Sequence, residues 1–210
     1  MAEIIYPHAL TTLQRVKDRI GVTNANFDSL LIRLINSVTD YIESQCGGRR
    51  FAKQTLTNEL YSVNQSRQEY LVLKQAPVII LSSFQFSVSI PPTSGKIWQN
   101  FLSSQYELVE DGKSGLIRVY GGLYRGTNVV RATYDAGYLI DWANAGNATH
   151  TLPADLTDVC ERLVIKIFKR RESEGKKQEG INQSQVSWSD KLNQEDEDVI
   201  NRYRRVPMIV

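Results

Sequence analysis

Side-chain chemistry in this 210-residue chain can gather only at two histidines, two cysteines and a few groups of charged residues. Histidine can serve as a general base or a metal ligand. His8 stands near the amino terminus and His150 in a loop, neither with a cysteine or acid at ligand spacing, so solvated histidines are the favoured reading. Glu107, Glu110 and Asp111 flank an expected hairpin turn and read as turn and edge residues. The run Glu195 to Asp198 puts four acids at a helix start. It lacks the spaced oxygen ligands and turn glycine of a calcium loop, and complements the helix dipole and the following Arg202, Arg204 and Arg205. Between Lys166 and Lys177 six basic residues stand against Glu172 and Glu174. That stretch could face a phosphate backbone, and Lys169, Arg170, Arg171, Lys176 and Lys177 are its candidate contacts. No aromatic side chain interleaves them, so a solvated helix end is favoured. No nucleophile elbow, Walker loop or G-x-G-x-x-G is present, and "GGLYRG" at Gly121 to Gly126 suits a tight turn. Catalytic residues, metal and cofactor are therefore expected to be absent.

The elements that must position these residues are legible from periodicity. Leu13, Val16 and Ile20 fall at helical spacing, with Thr11 or Thr12 able to cap the start and Gly21 the end. Phe27, Leu30, Leu31, Leu34, Ile35, Val38, Tyr41 and Ile42 form one face of a long helix that Gly47 closes. From about Phe51 to Leu139 the period changes to two, as in "SFQFSVSI", where Phe84, Phe86, Val88 and Ile90 share a side. "EYLVLKQAPVIIL" supplies two short apolar runs, "YELVEDGKSGLIRVY" a hairpin and "NVVRATYDAGY" a last strand, so roughly five to seven antiparallel strands are expected. After Pro153, Leu156, Val159, Cys160, Leu163, Val164, Ile167 and Phe168 make a second helical stripe. The polar stretch from Gly175 to Ser187 reads as a mobile linker, and residues 190–205 as a short final helix with a sparse apolar face.

The fold class predicted is α+β, a helical bundle with a central antiparallel β insertion. Residues 1–54 and 140–175 make the helical core, 55–139 the insertion, and 176–210 the linker and tail helix. Lys plus Arg number 25 against 23 Asp plus Glu, and a net charge of +2 does not describe a protein that coats nucleic acid. Cys46 and Cys160 sit at apolar helical positions and read as free, buried thiols. No stretch approaches the roughly 20 apolar residues of a membrane span, and a reducing cytoplasm is the expected site of synthesis.

Taken in order, "LTTLQRVKDRIGV", "YIESQCGGRRF", a β region, "VVRATYDAGY", "LPADLTDVCERLVIKIFKRRESEG" and "VINRYRRV" resemble the head-tail connector, or adaptor, proteins of tailed bacteriophages and prophages. Residues 10–54 and 129–175 carry most of the resemblance. It implies a structural virion protein of the neck, made in the host cytoplasm. About twelve copies would form a ring beneath the portal protein, extend the DNA channel and meet a stopper or tail-completion protein. DNA would pass without specific contact. In this picture Gly137 turns the chain while Tyr134 and Tyr138 cover the helical core, and Ile32 beside the main stripe contributes to the ring interface. The tail helix is too short to stand alone. By the resemblance its partner is the portal, reached through Trp188, Leu192, Val199, Ile200, Arg202, Tyr203, Arg204 and Arg205; the competing reading has the tail packing back on its own bundle. Another neck or tail-completion role, or a small DNA-processing enzyme acting through the Glu107 to Asp111 region or the basic helix end, are the alternatives.

Overall fold

The computed structural model describes residues 4–88, 96–144, 149–171, 178–181, 184–187 and 192–204. The fold is mixed α+β, and the chain divides into two compact units: residues 1–49 with 140–205, and residues 50–139 with 206–210. Among the described residues no helix is long and apolar enough to cross a membrane.

In the first unit, α1 (Leu13–Ile20) starts where the Thr12 side chain accepts from the Arg15 amide, and ends at Gly21 in the left-handed conformation. Helix α2 (Asp28–Gln45) buries Leu31, Ile35, Val38 and Ile42, a spacing of three and four that keeps them on one stripe. Asn36 and Thr39 are buried as well, and the segment before α1 explains why. The Tyr6 amide donates to Asn36 Oδ1 (2.9 Å), Asn36 Nδ2 donates to the Ile4 carbonyl (2.9 Å), and the Leu10 amide donates to Thr39 Oγ1 (3.3 Å). These side chains satisfy a strap of backbone that has no secondary structure of its own. Helix α3 (Ala154–Arg170) packs on both α1 and α2 through Leu156, Val159, Cys160, Leu163, Val164 and Phe168. Burial of both free thiols pushes Cys46 up to about 11 and Cys160 to about 12.

Two residues assigned to these stripes are exposed: Tyr41 is 42% exposed and Ile167 46%. Each lies at the edge of its stripe, where a helix of 3.6 residues per turn carries the position round to solvent. The expected mobile linker contains an antiparallel pair, β8 (Gln178–Ile181) and β9 (Ser184–Ser187), in register Gln178 to Ser187 and Ile181 to Ser184. Backbone pairing needs no apolar anchor, so composition alone gives no sign of it. Helix α4 (Gln194–Tyr203) follows.

The second unit holds two antiparallel sheets. One orders β1 (Gln54–Val63), β7 (Gly126–Ala136), β3 (Val78–Val88) and β4 (Ile97–Asn100); the other orders β2 (Gln68–Val72), β6 (Leu116–Leu123) and β5 (Tyr106–Leu108). Alternation decides what faces inward. In β7, Val130, Ala132, Tyr134 and Ala136 are buried while Arg131, Thr133 and Asp135 point the other way. They share a core with Tyr61, Val63, Leu71, Ile117, Val119 and Phe84, whose ring stacks on Phe101 at 4.6 Å. Strand β3 is described to Val88, so Ile90 lies outside the described residues.

Tyr134 corrects an expectation: it belongs to this β core and not to a helical one. Its hydroxyl and that of Tyr61 lie 3.0 Å apart, and both contact Glu59 Oε2. Lys74 adds an ion pair at 3.0 Å. Burial raises the Glu59 carboxyl, but the bonds from Tyr134, Tyr61 and Lys74 together outweigh it and leave Glu59 below its ordinary value; burial raises both tyrosines. Gly137 ends β7 at φ +108, its amide donating to the Pro77 carbonyl, and Tyr138 stacks on Phe51 at 6.4 Å.

Candidate assembly surfaces

The tail helix α4 begins with Glu195, Asp196 and Glu197, acids that suit the positive end of a helix. A ten-residue helix is marginal in water, and this one takes its partner from the same chain by packing on α3. Val199 and Ile200 are buried. Asp196, 3% exposed, accepts from Arg162 Nε (2.8 Å) and Nη2 (2.5 Å). The Tyr203 hydroxyl donates to Asp155 Oδ1 (2.8 Å), and Arg202 pairs with Asp155 at 3.5 Å. Cys46 Sγ donates to the Ile200 carbonyl (3.6 Å) and Arg49 Nη1 to that of Tyr203 (3.1 Å). Of the eight residues expected to reach a portal, Val199 and Ile200 therefore face their own unit. Leu192 and Tyr203 are half-buried, Arg202 and Arg204 are exposed, and Trp188 and Arg205 lie outside the described residues. Ile32 is half-buried.

Charge continues from α4 across α3 to α1. Arg162 also pairs with Asp158, which accepts from Arg19 (2.5 Å), and Arg19 reaches Glu161 (2.9 Å). Glu161 is 5% exposed and takes Thr11 Oγ1 (3.0 Å) and Arg15 Nε (2.7 Å) besides. The hydrogen bond to Asp158 holds the Arg19 guanidinium above its ordinary value against the opposing effect of burial. A buried carboxylate is tolerable only when paired in this way. Asp196→Ala is expected to loosen α4 by about 2 kcal/mol, the worth of charge-assisted hydrogen bonds lost at a buried site, seen as roughly thirtyfold faster amide exchange confined to α4. Unchanged protection there would show that Val199 and Ile200 suffice to hold the helix.

The basic end of α3 is less open to phosphate than its composition suggests. The Arg171 guanidinium lies over Phe168 (3.9 Å) and Phe27 (4.7 Å), and Nη1 donates to the Phe168 carbonyl (2.9 Å). It caps the helix. Lys169 is exposed, Arg170 is half-buried, and Lys176 and Lys177 lie outside the described residues.

Nor do the candidate chemical groups assemble a reactive centre among the described residues. Glu110 and Asp111 both adopt φ +53 in the turn between β5 and β6, while Glu107 lies 3.7 Å from Arg118. His150 Nδ1 accepts the Asp141 amide (3.1 Å) with its ring against Trp142 (4.7 Å). The Asn144 and Thr149 side chains hold Asp141 below its ordinary value. His8, stacked on Tyr6, does have acidic neighbours: it brings a ligand atom within 4.8 Å of Asp40 and Glu43, from 32 and 35 positions away in sequence, a distance no local spacing reveals. Its Nε2 lies 3.9 Å from Asp40 Oδ1, where ligands on one zinc ion would stand about 3.4 Å apart.

Sequence reasoning missed the outward faces of the two sheets. On the three-stranded sheet Arg118 lies over Tyr70 (5.9 Å) and Tyr120 (5.5 Å); on the four-stranded sheet Arg131 lies over Trp98 (4.6 Å) and donates to Gln85. The signal was present in "LIRVY", where Arg118 and Tyr120 alternate with buried Ile117 and Val119. Finding Tyr70 and Trp98 beside them needed the strand register. Arginine and aromatic side chains are enriched where proteins meet.

Residues 10–76 match the sequence model of a family described as Phage gp6-like head-tail connector protein. No curated protein matches the chain. The solved structures that share its fold include two necks of GTA particles. The neck of an empty GTA particle, computed with C6 symmetry, aligns at a TM-score of 0.54 and 15% identity over 99% of this chain and 96% of that one. The neck of a native GTA particle, computed with C12 symmetry, aligns at 0.53 and 16% over the same shares. The resemblance read from the helices at the start of the chain is thus borne out: residues 10–76 carry the head-tail connector family's pattern, on a fold found in the necks of phage-like particles.

Proposed function

We propose that the protein is a structural subunit of the neck of a tailed phage or phage-like particle, assembled as a ring below the portal and joining the capsid to a stopper or tail. The observation that carries this reading is a coincidence of two independent likenesses. A head-tail connector pattern covers residues 10–76, and 99% of the chain follows the fold of neck chains whose structures were computed with sixfold and twelvefold symmetry. A structural and not a catalytic role is consistent with the chemistry: Glu161, Asp196 and Glu59 are spent on holding elements together. DNA would traverse the ring without base readout, which needs no concentrated positive charge. A dodecamer follows if the ring takes the higher of the two symmetries.

The test is the native mass of the purified protein over a range of concentrations, alone and after mixing with its cognate portal. A closed ring, or addition to the portal in ring-sized steps, is the expected result. A chain that stays monomeric in both conditions would overturn the proposal.

A further inference from the structure

The stretch "GGLYRG" reads from composition as a tight turn, and the structure gives it more to do. Strands β6 and β7 belong to different sheets and are joined only by Tyr124 and Arg125, so the chain crosses from sheet to sheet in two residues. Gly122, at φ +77, fixes the crossing close to the backbone of Arg67, where a Cβ would stand 2.7 Å from Arg67 Cα. With a strand on either side to anchor them, both linking residues are exposed, Tyr124 by 83%. At this corner a cavity of about 530 Å³ opens between the sheets, floored by the buried Val119, Leu123 and Val130 and walled by Phe86 and Phe101. Tyr124 and Arg125 complete its lining. Among the described residues no carboxylate lines the cavity, and the Arg125 guanidinium has no ion pair or hydrogen bond.

An apolar floor beside one uncompensated cation suits a ligand that is apolar and brings an acid. DNA does not qualify, since its backbone offers phosphate but little aliphatic surface. A small amphiphile held inside the cavity would leave bare both Tyr124 and Leu102, the latter 66% exposed with its amide bonded to Gln105 of the lining. Such a cluster of exposed apolar side chains fits a protein segment. The helical unit carries one. The strap before α1 is tied down at Asn36 and Thr39 and leaves Ile4 79% exposed and Tyr6 39% exposed. Asp40 stands one turn on from Asn36, about 6 Å along the same flank of α2. Its side chain is 54% exposed and meets only His8, at 3.9 Å. Arg33, the cation on this flank, lies about 10 Å back from Asp40 along the axis. Strap and cavity are both bare in the single chain, and a ring built from one kind of chain needs two such different surfaces on each copy.

Resting on the ring reading, we infer that the cavity between the two sheets receives the strap of a second copy of this chain, whose Ile4 and Tyr6 cover the apolar floor while its Asp40 meets Arg125. The contact is head to tail: each copy gives its strap and receives its neighbour's. Burial of Ile4 against Val119 and Val130 supplies the affinity, and the Asp40 to Arg125 pair sets the register.

The experiment joins a charge swap to cross-linking, both on the full chain, at concentrations where native mass shows higher species or with the portal present. Arg125→Glu and Asp40→Arg, each at an exposed position, are expected to lower the assembled fraction roughly tenfold with an unchanged melting temperature. Combined in one chain they restore the pair in reverse, and assembly is expected to return. Cys46 and Cys160 are buried and free, so they leave the background clear for a short bis-maleimide. The double variant Ile4→Cys with Tyr124→Cys is expected to give a ladder of covalent oligomers, and each single variant none. A ring that forms while the double cysteine variant gives no ladder overturns this contact and leaves the ring standing. Loss in both charge variants without rescue in their combination overturns the pairing of Asp40 with Arg125. Cross-linking by Tyr124→Cys alone, to another copy or to the portal, overturns the strap as the occupant. A wild-type chain that never assembles removes the ring and this contact together.

Discussion

Gly137→Ala is expected to unfold the β unit or cost it on the order of 4 kcal/mol. Two effects combine. At φ +108 an L side chain is strained by about 1–3 kcal/mol whatever space it finds. Here it finds none, since a Cβ would stand 2.6 Å from the Ala52 carbonyl oxygen and 2.8 Å from the Phe51 carbonyl oxygen. Both are backbone atoms that cannot swing away. Gly121 is the control. Its φ is +87, but nothing lies within 4 Å of the added Cβ, so Gly121→Ala should lose only about 1–2 kcal/mol for the left-handed backbone. Thermal unfolding of the two variants measures the difference. Equal losses would mean that the approach of Ala52 to Gly137 matters less than the backbone angle.

Tyr134→Ala is expected to be about as damaging, in the range of about 3–5 kcal/mol for removing a fully buried aromatic side chain. Tyr134→Phe separates the hydroxyl from the ring. It keeps the volume but takes one donor from Glu59 and the acceptor from the Gln75 amide, and should cost about 1–3 kcal/mol. The pH dependence identifies the carboxylate. Glu59 titrates below its ordinary value of 4.5 in the folded protein, so the unfolded chain takes up its proton first as pH falls. Its contribution is complete above about pH 4.5 and is lost as pH drops through the folded value. Asp135 is also lowered, by the Thr55 and Lys53 side chains, and acts in the same direction. Tyr134→Phe and Glu59→Gln should both flatten the fall in stability below about pH 4.5 relative to the wild type. An acid limb as steep in both variants as in the wild type would show that other carboxylates carry it.

Periodicity located α1, α2 and α3 closely because each buries one stripe against the others, and burial is what writes a stripe into a sequence. Capping was legible for the same local reason, with Thr12 and Gly21 standing where the chain needs them. What escaped depends on partners distant in sequence. Tyr134 reads as an apolar residue at a strand end; that it closes over Glu59 follows only from the register of β1 on β7. The tail looked short of a partner because its apolar face is sparse, and what completes the docking is polar: Asp196 on Arg162 and Tyr203 on Asp155. Hydrogen-bonded pairs leave no period in a sequence. Exposure at Tyr41 and Ile167 was likewise hidden, since a period of three and four places both on an apolar stripe and only the packing of neighbouring helices decides which edge of the stripe meets solvent.

The central claim is that this chain closes into a ring at a portal, and the most direct measurement is electron microscopy of the protein assembled on its cognate portal, with the rotational order counted in end-on views. The account predicts a discrete ring of this chain stacked on the portal, with sixfold or twelvefold symmetry. Isolated copies bound without rotational order, or a portal left bare at saturating protein, would contradict it.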